Sequence, residues 1–321
     1  MSVSTTVRKI DFQRDFFIVH TNRGDIKAKY IVNAAGLHSA TIARLIGDDS
    51  FNIYARKGEE YLLDRKLEGL VRRTIFPLPS AESKGILVIP TVEGNIMLGP
   101  TAHRIDTFSD LSTSASGWEE IYSYTSKLVT GIHPADLITS FSGLRAAGEN
   151  GDFIIRPSHV SPRFVHAAGI ESPGLTAAPA IALEIKEILE EAGLSLLPNR
   201  YFNPKRHITR FRQLNEAQQM ALINEDPAYA KIVCRCETIT EGEIRDAIKR
   251  GASTLDGIKL RTRSGMGRCQ GGFCTPKILE LLMEELRIGP ELVSKNGPGS
   301  ELIAGWLRGV KEEKNDVRNF S

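Results

Sequence analysis

Four cysteines constrain this chain more than any other feature. Cys234, Cys236, Cys269 and Cys274 fall within 41 residues, and the other 280 contain none. The pattern is Cys-x-Cys, 32 intervening residues, then Cys-x4-Cys. In a reducing compartment such a cluster reads as metal ligation or redox chemistry rather than a disulfide scaffold. Structural zinc usually sits in Cys-x2–4-Cys knuckles, and Cys-x-Cys is tighter than that. An iron–sulfur centre with four thiolate ligands suits the spacing better. Inert or disulfide-bonded cysteines suit it least.

The flanking residues say how the two pairs can meet. Thr240-x-x-Glu243 is a capping box, Ile244, Ala247 and Ile248 form an apolar helix face, and Gly251 ends that helix. After Cys274, Pro276 suits a first turn, and Ile278, Leu279, Leu282, Met283 and Leu286 give a second amphipathic helix. The cysteines therefore lie on two loops that the helices bring together. Gly265, Gly267, Gly271 and Gly272 crowd the second loop, where a flexible backbone lets N–H groups turn toward sulfur. Residues 231–275 hold nine Lys or Arg against five Asp or Glu, and that local net of +4 favours bound anionic thiolates.

The whole chain has 321 residues, enough for two or three domains, with 41% hydrophobic and 25% charged residues. Its net charge of +2 gives no electrostatic case for nucleic acid. No apolar run approaches a membrane span, and the first twelve residues lack a signal-type apolar core. The expected setting is cytoplasmic.

Residues 16–30 alternate around the turn Asn22-Arg23-Gly24-Asp25, a hairpin pattern. Ile31 to Gly36 reads as a buried strand ending in small residues, followed by a helix with Ile42, Leu45 and Ile46 on one face. Residues 51–150 read as a mainly antiparallel sheet with one helix over Trp118 to Val129. Two further β runs, Phe153 to Ile155 and Phe164 to His166, lead into a glycine-bearing turn, Gly169-Ile-Glu-Ser-Pro-Gly-Leu-Thr176. A helix capped by Gly193 follows. Strand, glycine turn and helix start place N–H groups where an anionic or polar ligand edge can sit, although many such turns bind nothing. The expected fold class is α/β (α+β), with residues 1–50 and 151–195 in one domain and 51–150 in a second. A polar linker is expected over 196–228 and a small helical domain over 229–321.

Val233-Cys-Arg-Cys-Glu237 together with Gly267-Arg-Cys-Gln-Gly-Gly-Phe-Cys274 resembles the bacterioferritin-associated-ferredoxin-like [2Fe-2S] domain. The resemblance implies a [2Fe-2S] cluster on Cys234, Cys236, Cys269 and Cys274. Residues 25–195 resemble the C-terminal portion of FAD-dependent oxidoreductases of the D-amino-acid-oxidase-like superfamily. Anaerobic glycerol-3-phosphate dehydrogenase A subunits and L-2-hydroxyglutarate oxidases are the nearest groups. The carriers are Val32-Asn-Ala-Ala-Gly36, Leu98-Gly-Pro-Thr101, Ser142-Gly-Leu-Arg145 and the 169–176 turn. The resemblance implies cofactor contacts at Ala34, Ala35 and Gly36. It implies further contacts at Gly169, Ile170, Glu171, Ser172, Pro173, Gly174, Leu175 and Thr176. Arg145 matches the arginine that binds the substrate's anionic group, a role that the rigid guanidinium fork suits. Lys57 and Tyr61 are further candidates for the substrate pocket, and no catalytic residue is assigned.

This sequence lacks the G-x-G-x-x-G turn that holds the FAD pyrophosphate in that superfamily. The chain is therefore expected to begin mid-domain, as a truncated form, with weak or absent FAD binding. The implied activity is oxidation of glycerol 3-phosphate, with electrons leaving through the cluster to a quinone-linked partner subunit. Such a partner would also give peripheral attachment at the inner membrane. L-2-hydroxyglutarate oxidation and a non-catalytic [2Fe-2S] electron-transfer module are the alternatives.

Overall fold

Strand alternation and helix capping account for most of the architecture of the computed structural model, which describes residues 2–78, 85–205, 208–303 and 305. The chain divides into two units, Met1–Phe202 and Asn203–Ser321.

In the first unit, strands β1 (Val7–Gln13), β2 (Phe16–Thr21) and β3 (Gly24–Ala28) form an antiparallel meander, with the expected hairpin at β2–β3. Strand β4 (Ile31–Asn33) leads into helix α1 (Ser39–Arg44). Phe17 is fully buried and meets Phe164 edge-on at 6.0 Å, joining the meander to the neighbouring sheet.

The middle region is a five-stranded antiparallel sheet: β5 (Ile53–Leu63), β6 (Leu87–Pro90), β7 (Ile96–Gly99), β8 (His103–Ile105) and β9 (Leu137–Gly148), with helix α2 (Ala115–Leu128) before β9. Strand β5 pairs with β9 along its whole length. Its odd-numbered residues, from Ile53 to Leu63, are buried, and Tyr61 and Leu63 share a core with Ile121 of α2. A strand sends alternate side chains to opposite faces, so the even-numbered residues point the other way. Ser114 caps α2 by accepting from the Gly117 N–H at 3.0 Å.

Strands β10 (Ile154–Pro157) and β11 (Phe164–Ala168) return the chain to β4. The order is β10-β11-β4, with β11 parallel to β4. Helix α3 (Gly174–Glu191) follows, with Gly193 at φ +93° just past its end. The fold is mixed α/β with an antiparallel central sheet, as the sequence predicts.

The second unit starts inside the stretch expected to be linker. Helix α4 (Glu216–Glu225) occupies part of it, closed by a reciprocal Asn215–Gln218 capping box. Strands β12 (Ile232–Cys234) and β13 (Ile239–Thr240) precede helices α5 (Glu241–Lys249), α6 (Leu255–Thr262) and α7 (Thr275–Leu286). The Thr240–Glu243 box forms as read, with the Glu243 N–H donating to Thr240 Oγ1 at 3.2 Å. Ile244, Ile258, Leu281 and Leu282 make the fully buried centre of this unit. Of the domain expected over 229–321, residues 304 and 306–321 lie outside the described residues.

Candidate functional site

The first unit carries an open cleft of about 970 Å³ at the ends of β4 and β11. Ala35, Gly36, Leu37 and His38 line one side, the whole run Ile170–Thr176 another, and Leu144, Arg145 and Ala146 the third. Gly36 and Gly169 adopt φ +56° and +64°, conformations that favour glycine and let each strand end turn sharply beside the opening. The two segments singled out in the sequence therefore meet across 130 residues. Ala34 is exposed beside them, and Gly169 is buried beneath the rim.

Arg145 on β9 faces Arg56 on β5 in direct register. Its Nη2 donates to the Thr101 carbonyl at 2.6 Å and its Nε to the Arg56 carbonyl at 3.3 Å. Gly58 makes the space: a Cβ there would stand 2.5 Å from Arg145 Nη2. Burial, then the facing Arg56 guanidinium, lower the Arg145 pKa, while Glu171 and Glu60 work in the opposite direction. Arg56 Nη1 pairs with Glu171 Oε1 at 3.1 Å, tying the turn after β11 to the central sheet. Burial pushes the Glu60 carboxyl up. Two cations opposed on adjacent strands repel each other; Glu171 offsets that for Arg56, and an anion beside Arg145 relieves the remainder.

Lys57 and Tyr61 do not join this cleft. Both project from the other face of β5. Lys57 is bound to Asp110 at 2.8 Å and Ser112 at 3.2 Å. Tyr61 donates to Glu59 at 3.0 Å and packs beside Trp118. A one-residue difference on a strand reverses the face, so Arg56, the neighbour of Lys57, is on the same face of the sheet as Arg145. His38, which the sequence reading did not single out, also lines the cleft, with its ring edge-on to Phe108 at 5.7 Å.

In the second unit the four cysteines form no disulfide and approach in two pairs. Cys236 and Cys269 sulfurs stand 3.7 Å apart, and Cys234 hydrogen-bonds to Cys274. A single tetrahedral zinc needs all four thiolates on one ion, whereas a two-iron centre takes two on each iron. The donor set fits a [2Fe-2S] cluster.

Backbone N–H groups support the sulfurs. The Cys274 thiol, with help from the Gly265 and Glu237 N–H groups, brings Cys234 down to about 5. The Phe273 N–H does most to lower Cys269, and the Gly271 N–H adds to it. Glu237, directly after Cys236, is 1% exposed and accepts from Arg212 at 3.1 Å and Arg263 at 2.9 Å. That buried clamp fixes the first cysteine loop from both sides, and the sequence reading did not find it.

Residues 3–188 match the family model described as FAD dependent oxidoreductase. The chain belongs to this family. Residues 232–284, which contain all four cysteines, match the BFD-like [2Fe-2S] binding domain, so the cofactors of the two parts are FAD and a [2Fe-2S] cluster. Glycerol 3-phosphate dehydrogenase of Caloramator mitchellensis is 41% identical over 297 residues, covering 91% of this chain and 62% of its own length. Anaerobic glycerol-3-phosphate dehydrogenase subunit A1 of Haloferax volcanii is 26% identical over 308 residues, 83% of this chain and 50% of its own. The FAD-bound, dithionite-reduced L-α-glycerophosphate oxidase of Mycoplasma pneumoniae superposes with a TM-score of 0.55 at 31% identity. It covers 58% of this chain and 50% of that structure. The chain thus spans between half and about three-fifths of the length of these relatives. Among the described residues no helix is long and apolar enough to cross a membrane.

Proposed function

We propose that the chain serves an FAD-dependent glycerol-3-phosphate dehydrogenase that delivers electrons through a [2Fe-2S] cluster to a quinone-linked acceptor. The observation that carries this reading is the Arg145–Arg56 pair beside the cleft, with Gly58 leaving room for the guanidinium. Two forked cations suit a phosphate, and the glycerol-phosphate names of the relatives above agree. Ala34 to Gly36 and Gly169 to Thr176 would border the flavin. Cys234, Cys236, Cys269 and Cys274 would hold the cluster. When bound, FAD supplies the hydride acceptor for oxidation of the secondary alcohol. Arg145 orients the phosphate, and Arg56, paired with Glu171, holds the turn after β11 beside it.

Arg145→Lys keeps the charge and loses the fork, and is expected to raise the KM for glycerol 3-phosphate about tenfold or more with added FAD. Gly58→Ala, which crowds the same guanidinium, should move KM in the same direction. An unchanged KM in both variants, or preferred turnover of L-2-hydroxyglutarate by the parent chain, would overturn the substrate assignment. L-2-hydroxyglutarate carries carboxylates that the same arginines can bind, and the direct comparison of substrates separates the two.

FAD retention is a separate expectation. The 321 residues contain no G-x-G-x-x-G turn, and the cleft is widely open, so the chain alone should lose FAD on gel filtration while keeping iron. Flavin, iron and sulfide analysis after anaerobic purification measures both. Stoichiometric FAD surviving filtration would contradict the first half of that expectation. Iron and sulfide with no turnover even after FAD is added back would favour the electron-transfer module.

A further inference from the structure

Phe273 is 87% exposed, although it stands between two of the candidate cluster ligands. It is peptide-bonded to Cys274, and its N–H donates to the Cys269 sulfur. One residue therefore adjoins a ligand from each of the two cysteine pairs. It lines an open cleft of about 780 Å³ with the cysteines, Lys231, Ile232, Arg235, Glu241 and Lys277. Ile232 is also exposed, at 41%. Three cations against one carboxylate make the rim net positive. Lys231 reaches Glu241 only at 3.7 Å, Lys277 is paired with Glu280 on the surface, and Arg235, between the first two cysteines in the sequence, is exposed.

An isolated exposed aromatic side chain is ordinary on a protein surface. An aromatic ring inside a cationic rim, one bond or one hydrogen bond from redox ligands, has the form of an interface anchor with charges that steer a partner. We propose that the Phe273 face is where the cluster passes its electron to an acidic one-electron carrier protein, with Phe273 as the contact and Arg235 and Lys277 as the steering charges. This rests on the cluster assignment above. In the step, one electron leaves the reduced cluster, which returns to its all-ferric state, and the carrier is reduced by one electron. No proton or bond changes hands.

The test uses the full chain with its cluster reduced chemically by dithionite, so that neither flavin nor substrate is needed. Iron content and the electron paramagnetic resonance signal are measured first, and their absence sinks the cluster reading and this proposal together. Stopped-flow then follows reoxidation by cytochrome b5, an acidic haem protein, by cytochrome c, a basic one, and by a neutral benzoquinone. At low salt, cytochrome b5 should react about tenfold or more faster after allowance for driving force, and raising salt from about 20 to about 200 mM should erase most of that advantage. Arg235→Glu with Lys277→Glu should cost about tenfold or more with cytochrome b5 and leave the benzoquinone rate and the spectrum unchanged. Phe273→Ala should slow cytochrome b5 roughly tenfold. If Phe273→Ala loses the cluster, the charge variants decide alone. Unchanged cytochrome b5 rates overturn the proposal. A dimer in sedimentation that Phe273→Ala dissolves assigns the face to a second copy and overturns it as well.

Discussion

Asp48→Ala is expected to destabilise the first unit by about 2–6 kcal/mol. Asp48 is 1% exposed and serves as a hub for donors from three segments. Ser50 donates through its N–H at 3.0 Å and its hydroxyl at 2.6 Å. His166 Nε2 approaches at 3.0 Å, and the Ser158 hydroxyl also donates. Removing the carboxylate leaves the Ser158 hydroxyl and the His166 ring N–H buried without acceptors, at about 1–3 kcal/mol each. Asp48→Asn retains one acceptor oxygen and should cost less. Urea melts of the full chain followed by circular dichroism measure both, and a loss below about 1 kcal/mol for the alanine variant would show that the hub is replaceable.

The same hub sets an acid limit. Burial lowers the pKa of His166 below its ordinary 6.5, and Asp48 is held well below its ordinary 3.8 by its donors despite burial. The neutral ring, with Nε2–H toward Asp48 and Nδ1 accepting from Asn33 at 3.3 Å, is the folded form. Below 6.5 the unfolded histidine takes up a proton that the folded one resists, so stability is full above that pH and declines as pH falls. The carboxylate adds a second loss below 3.8, since protonation removes its charge-assisted bonds.

How much of this was legible in the sequence depended on range. The Thr240–Glu243 box, the Gly193 helix end and the β2–β3 hairpin are local patterns, and all three form as read. Helix α4 was hidden because Ala, Met, Leu and Ile are interspersed with Glu and Gln without a strong apolar face, so composition resembled a linker. The placement of Lys57 and Tyr61 on the face away from the cleft was illegible for a different reason. Alternation identifies the two faces of β5, but only the tertiary fold says which face meets the cleft. Glu171 lies 115 residues from Arg56, and His166 lies 118 from Asp48. Neither contact leaves a periodic trace. The cysteines were the opposite case, since spacing and neighbouring glycines announced them without any knowledge of the fold.

Those glycines carry the sharpest expected result in the second unit. Gly267→Ala should abolish the cluster as completely as Cys236→Ser. A Cβ at position 267 would fall 2.2 Å from Cys236 Cβ and 3.4 Å from both its Cα and its sulfur. The first of these atoms is anchored one bond from the backbone, so no flexible side-chain end can swing aside. One of the two cysteine loops must move, and Cys236 and Cys269, now 3.7 Å apart, would lose their pairing. Metal sites demand ligand placement within a few tenths of an ångström, and their assembly is coupled to folding. The parent chain should hold about two irons and two sulfides, as a [2Fe-2S] centre requires, and both variants should hold almost none. Their melts should differ, however. Cys236→Ser removes a ligand and leaves the packing of the apo unit nearly intact, whereas Gly267→Ala also overpacks it, which typically costs 1–3 kcal/mol. Full iron content in Gly267→Ala would show that the loops can spread enough to admit the methyl group and still hold the cluster.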